Sequence, residues 1–129
     1  MFDRPLLLGY DRSEGAPAAL QEAIEQARAL DAVLMIASAY RSPDDGDTDL
    51  AAVAEAQATE AGVRVIGCPV DIGLADALVA IAEVDDARMI LTGADRPTDG
   101  DDHAVGATAD KVLRRSPVPV RVVHAAERA

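Results

Sequence analysis

An apolar run that ends in glycine, followed by a polar loop and a second glycine opening a helix, is an arrangement suited to binding phosphate. This chain carries one between Arg88 and Thr108. The run Arg88-Met89-Ile90-Leu91-Thr92-Gly93 leads through Ala94-Asp95-Arg96 and a polar loop to Gly106-Ala107-Thr108. Glycine lets backbone come close to a ligand. The helix N-terminus offers unpaired N–H groups and a partial positive charge. A second polar candidate is the pair Asp11 and Ser13, which follows the first apolar run. Ser13 suits two roles there: cap of the next helix, or ligand contact.

Other chemistry finds little support. Asp45, Asp47 and Asp49 alternate like the first ligands of a calcium loop, but Leu50 stands where that loop needs glycine and Ala56 where it needs a carboxylate. Asp99, Asp101 and His103 lack the spacing of a metal site. Cys68 is the one cysteine, so it has no partner for a disulfide or a metal pair. It precedes Pro69 with only Arg64 near it in sequence, which is a poor setting for a reactive thiol. No nucleophile, base and orienter fall together, and neither a Gly-x-Ser-x-Gly elbow nor a Walker loop occurs. The sequence therefore favours a binding or regulatory module over an enzyme.

The elements that must position these residues alternate in type. Pro5 to Tyr10 reads as a short buried strand. Ser13 is the expected N-cap of a first helix, with Pro17 in its first turn and Leu20, Ala23, Ile24, Ala27 and Leu30 on its inner face. Ala32 to Ala39 is a second strand. Thr48 can cap a second helix with Leu50, Val53, Ala54, Ala58 and Ala61 inward, and Gly62 ends it. Val63 to Val70 is a third strand, expected to be cut by Pro69. After Gly73 comes a third helix with Leu74, Ala77, Leu78 and Ile81 inward, then a fourth strand from Ala87 to Gly93. Val105 to Arg115 reads as a fourth helix with Val105, Ala109, Val112 and Leu113 inward. Ser116-Pro117 stops it, and Val118 to His124 is the fifth strand. Strands alternating with helices predict an α/β fold, a five-stranded parallel sheet with helices on both faces. In such folds ligands bind beyond the strand C-terminal ends, where the strand order reverses.

Composition limits the partners. The 129 residues are most simply one domain, 1–129. Half of them are apolar, but the core must be aliphatic, with no Trp and only Phe2, Tyr10 and Tyr40 as aromatics. The net charge is −11 and Lys111 is the only lysine. A GC-rich genome, or adaptation to high salt, gives such a balance. Either way the surface repels phosphate backbones, which argues against DNA or RNA as a partner. No apolar run approaches the length of a membrane span. Met1 to Pro5 shows no basic segment leading into a signal core, so a cytoplasmic location is expected.

Three segments together resemble the universal stress protein family. Leu6-Leu7-Leu8-Gly9-Tyr10-Asp11-Arg12-Ser13-Glu14 is similar to the family's first strand and its Asp-x-Ser turn. Pro69 through Leu78 is similar to the passage into its third helix. Met89 through Val123, with Lys111-Val112-Leu113-Arg114-Arg115-Ser116-Pro117-Val118-Pro119-Val120, is similar to its last strand-loop-helix-strand unit. The resemblance implies strand order 3-2-1-4-5, an adenine nucleotide alpha hydrolase-like, flavodoxin-like three-layer sandwich. In that order Asp11 and Gly93 border one crevice.

Family members that bind ATP carry Gly, two residues, Gly, nine residues, then Gly and a Ser or Thr. Here Gly93 and Gly106 hold the first and third positions with the spacing intact. Arg96 stands at the second and Ala107 at the hydroxyl position. Thr108 places a hydroxyl one residue late, and the Arg96 guanidinium can contact a phosphate. Asp95, Asp99, Asp101 and Asp102 share that loop. Each would cost about 1 kcal/mol beside a triphosphate in water, less once screened. The expected reading is a non-catalytic stress-response binding or regulatory module, with no cofactor, or with ATP held weakly by Asp11, Ser13, Gly93, Arg96, Gly106, Ala107 and Thr108. The alternatives are an ATP-binding member with slow hydrolysis, and a flavodoxin-like domain for another small ligand. The valine-rich fifth strand would be a sheet edge, which invites pairing. The resemblance implies a homodimer through Pro119 to His124.

Overall fold

The computed structural model describes residues 4–39, 50–70, 73–94 and 106–125. In chain order the elements are β1 (Leu6–Gly9), α1 (Ala16–Leu30), β2 (Leu34–Ala39), α2 (Leu50–Glu60), β3 (Val65–Val70), α3 (Leu74–Val84), β4 (Met89–Ala94), α4 (Ala107–Arg115) and β5 (Val120–His124). The five strands form one parallel sheet in the order β3-β2-β1-β4-β5, as expected.

Leu6, Leu7 and Leu8 of β1 are fully buried, because this central strand is covered on both faces. Successive side chains leave a strand on opposite faces. Leu6, Leu8 and Tyr10 therefore join α1 and α2 in one core layer, while Leu7 joins α3 and α4 in the other. Alanine dominates the inner face of α1, with Ala16, Ala19, Ala23 and Ala27 buried beside Leu20 and Ile24. These small residues let the helix lie close on the sheet. The chain leaves β1 for β2 on one side, and β4 and β5 lie on the other, so the strand order reverses between β1 and β4.

The structure corrects several expectations. Ser13 does not cap α1. Gly15 is the N-cap and no side chain caps it. The Ser13 N–H donates instead to Asp11 Oδ1 at 2.9 Å, forming a local turn before the helix starts. Pro69 does not cut β3, which runs through it and pairs Ser38 with Pro69. Because β3 is a sheet edge, the missing N–H of proline costs no ladder bond there. Leu30, Val53 and Leu113 are exposed rather than inward. Val53 and Leu113 each lie one residue, about 100°, off the buried line of their helix, and Leu30 is the last residue of its own. Thr48, Val105, Arg96, the Asp45–Asp49 acids and the Asp99–His103 group lie outside the described residues.

One contact fixes how α1 meets the sheet. A Cβ on Gly93 would fall 2.5 Å from the Ala16 nitrogen and 2.7 Å from the Gly15 oxygen. A Cβ on Gly15 would fall 2.6 Å from the Ala94 oxygen and would also strike the Val123 carbonyl. Backbone lies against backbone there, so neither neighbour can swing aside as a side chain would. Gly93→Ala is expected to lower stability by about 3 kcal/mol or more, since overpacking against main chain has no cheap relief. Urea unfolding followed by far-ultraviolet circular dichroism measures this, and an unchanged midpoint would contradict the contact.

Candidate functional site

The C-terminal ends of β1 and β4 meet at the reversal point. Gly9 pairs with Thr92, so Asp11 and Ser13 leave the sheet beside Gly93 and Ala94. The turn from Asp11 to Gly15 is then pressed onto β4 by the glycine contact. Asp11 is half-buried and accepts the Ser13 N–H; Arg12 and Glu14 are exposed. The Ser13 carbonyl accepts the Ala16 N–H at 3.1 Å, leaving the hydroxyl as its unused group. Among the described residues, Ser13 Oγ, Thr92 Oγ1 and His124 Nδ1 are buried side-chain atoms without a hydrogen-bond partner.

On the other face, α4 leaves the top of β4 and packs back against β4 and β5. Its N-terminus therefore sits at the same end of the sheet as Asp11 and Gly93. Gly106 is its N-cap, with φ 84° and ψ 160°. That region of backbone space is essentially reserved for glycine. No atom lies within 4 Å of where a Gly106 Cβ would stand. Conformation, not crowding, thus demands glycine there, and the space above it is open. The first intrahelical bond runs from Asp110 N–H to the Gly106 carbonyl at 3.0 Å. The N–H groups of Ala107, Thr108 and Ala109 precede it and have no helical acceptor. Ala107 is exposed and Thr108 half-buried.

The two motif glycines thus do different work. Gly106 opens a helix end to solvent. Gly93 is glycine because α1 occupies its side-chain direction. Thr92, beside it, escaped the sequence reading. Ile90 belongs to the layer with α3 and α4, so Thr92, two residues on, faces that layer too. It is fully buried and its hydroxyl has no partner. Two signals could have found it: a Thr closing an apolar run, and its place next to Gly93.

The titratable groups near the site are quiet. Burial, then the Asp11 carboxylate, pushes the Tyr10 phenol up, so it is neutral at physiological pH. Burial, then Asp85 and Glu55, pushes the Cys68 thiol up, which disfavours the reactive thiolate. Among the described residues no three His, Cys, Asp or Glu side chains group to hold a metal ion. No helix among them is long and apolar enough to cross a membrane.

Comparison with known proteins gives a consistent result. The profile described as "Universal stress protein family" matches residues 3–124. A crystal structure of a universal stress protein in complex with cAMP is 28% identical, covers 97% of this chain and 99% of its own, with a TM-score of 0.77. A universal stress protein from Archaeoglobus fulgidus DSM 4304 is 27% identical over 93% of this chain and 43% of its own, with a TM-score of 0.75. An Archaeoglobus fulgidus structure in complex with dAMP is 18% identical, covers 95% and 99%, and has a TM-score of 0.75, a likeness of fold. No curated protein is similar enough in sequence to count as a match.

The orphan hydroxyl of Thr92 gives a stability test. Valine has the same shape and no polar atom to desolvate. Thr92→Val is expected to raise the unfolding free energy by about 1 kcal/mol, the low end of the cost of a buried unsatisfied group. Urea titration measures it; a loss of stability would mean that the hydroxyl has a partner after all.

Proposed function

This chain belongs to the universal stress protein family, and from that premise we propose that it is a non-catalytic, homodimeric binding or regulatory module. Its crevice takes an adenine nucleotide with a single phosphate in preference to ATP. The observation that carries the reading is Gly106, a glycine-only N-cap with open space above it and unpaired N–H groups behind it. One such helix end suits one phosphate. The relative at 28% identity was crystallised with cAMP, which also has one phosphate. A triphosphate would need more. Arg96 stands where ATP-binding members have their second glycine, and Ala107 where they have a hydroxyl. Asp95, Asp99, Asp101 and Asp102 add repulsion that grows with each phosphate. In this reading Gly106, Ala107 and Thr108 hold the phosphate with help from Arg96. Asp11, Ser13 and Gly93 border the rest of the nucleotide.

Calorimetry with cAMP, AMP and Mg-ATP tests this. Nucleotides with one phosphate should bind at least about tenfold more tightly than Mg-ATP, a gap of about 1.4 kcal/mol. Gly106→Glu should abolish binding, since it strains the N-cap and puts negative charge at the helix end. Sub-micromolar binding of Mg-ATP, with slow release of phosphate, would instead favour an ATP-binding member.

The homodimer rests on the β5 edge. The Ile90 N–H donates to the Pro119 carbonyl at 2.9 Å. In a parallel ladder the residues that bond inward alternate. Arg121 and Val123 therefore bond to β4, and Val120, Val122 and His124 turn their N–H and C=O groups outward. No acidic residue occurs between Asp110 and Glu127, in a chain of net charge −11. That stretch is where a second copy meets least repulsion. Antiparallel pairing of β5 with a second β5 about a two-fold axis would satisfy both edges. Val122→Pro removes an outward donor and should shift the protein from dimer to monomer in sedimentation velocity at micromolar concentration. A wild-type monomer would end the reading.

A further inference from the structure

We propose that α4 forms a second, self-complementary half of that homodimer, with Leu113 at its centre and Asp110 and Arg114 exchanging charge across the two-fold axis. The proposal rests on the β5 pairing above. It begins with an apolar residue in an unexpected place: Leu113 is 47% exposed on a short helix.

The flank on which Leu113 lies is fixed by ion pairs. Lys111 Nζ lies 3.2 Å from Asp76 Oδ2 and Arg115 lies 3.4 Å from Asp76 Oδ1, so Lys111 and Arg115 mark the side facing α3. Ala109 and Val112 mark the side facing the sheet. Leu113 is two residues from both Lys111 and Arg115, about 200° around the helix. It therefore faces away from α3, and in the order β1-β4-β5 that direction leads past the open edge. Asp110 and Arg114 lie on the same outer side, 3.0 Å apart.

Spacing brings two such flanks together. Because α4 packs on both β4 and β5, its axis runs about half a strand spacing inside β5. The two-fold of an antiparallel β5 pair lies half a spacing outside it. Two copies of α4 would then lie on the same face of the joined sheet, antiparallel and about 9.6 Å apart, two strand spacings. Packed helices are separated by about 8–10 Å. An antiparallel pair centred near residue 112 sets Asp110 of each copy level with Arg114 of the other. Leu113 of each then meets its counterpart near the axis. The charges are complementary only in this orientation; a parallel pair would oppose like to like.

Sedimentation equilibrium on Asp110→Arg and Arg114→Asp, alone and mixed, tests the contact. Alone, each variant sets like charges across the axis twice and should dimerise about tenfold more weakly than wild type. Mixed in equal amounts, they should recover to within about twofold, because the heterodimer restores both opposite-charge pairs. Loss of the internal Asp110–Arg114 pair would weaken each variant without any rescue by mixing. Leu113→Asp should also weaken the dimer about tenfold or more by placing a carboxylate in the apolar centre, with the far-ultraviolet spectrum unchanged. A wild-type dimer that Val122→Pro dissociates but these variants do not disturb would overturn the α4 contact and leave the strand pairing standing. Weak variants without recovery on mixing would overturn it as well. A wild-type monomer would overturn both.

Discussion

The N-terminus of α1 lies backbone to backbone on β4, and the shape of the crevice depends on that contact. Gly15 and Gly93 come from the two strands' successors at the point where the sheet order reverses. Neither has room for a side chain. Their approach pulls the Asp11–Gly15 turn down onto the end of β4 and closes the α1 side of the crevice. The side toward α4 is left open above Gly106. A looser seat for α1 would move Asp11 and Ser13 away from Gly93 without altering either strand.

The same contact separates two demands that the sequence merges. A glycine at the end of β4 reads as a place where ligand meets backbone, and at Gly93 the structure supplies protein backbone instead. The electrostatic part of phosphate binding then falls on the first turn of α4. A helix end supplies about half a unit of positive charge, and the acidic loop before it works against a highly charged ligand. The proposed preference for one phosphate follows from that imbalance, not from the shape of the crevice.

The alternation of strands and helices was legible because each strand is an unbroken apolar run between turn residues. Leu6 to Leu8 and Met89 to Leu91 could be read in no other way. The strand order came from the resemblance alone, since periodicity carries no information about which strands are neighbours. Helix faces were legible where large residues repeat, as in α1 and α3. They failed at Val53 and Leu113, where the buried line consists of alanines and small valines and the larger residue beside it draws the eye. The Ser13 cap failed because Asp11 competes for the same turn and takes the Ser13 N–H. Gly15 and Thr92 were invisible as site neighbours, because their significance lies in what packs on them. Asp11, Ser13, Gly93, Gly106, Ala107 and Thr108 do gather at one end of the sheet.

Charge ties the edge to the crevice. Two copies of a chain carrying −11 repel, and within a Debye length of about 8 Å salt does little to relieve it. A self-association surface on such a chain must be local relief from that field. The stretch from Lys111 to Ala126 has Lys111, Arg114, Arg115 and Arg121 and no carboxylate. Two of those cations, Lys111 and Arg115, are already held by Asp76 of α3, which keeps them from repelling their own counterparts. What remains outward is a valine-rich strand edge, Leu113, and an Asp110–Arg114 pair of no net charge. At the far end of the same strand His124 pairs in register with Ala94, the residue from which the β4–α4 loop departs. Strand pairing at β5 and ligand binding above α4 would therefore share one short segment of backbone. Ordering that edge would also steady the last residues of the crevice floor.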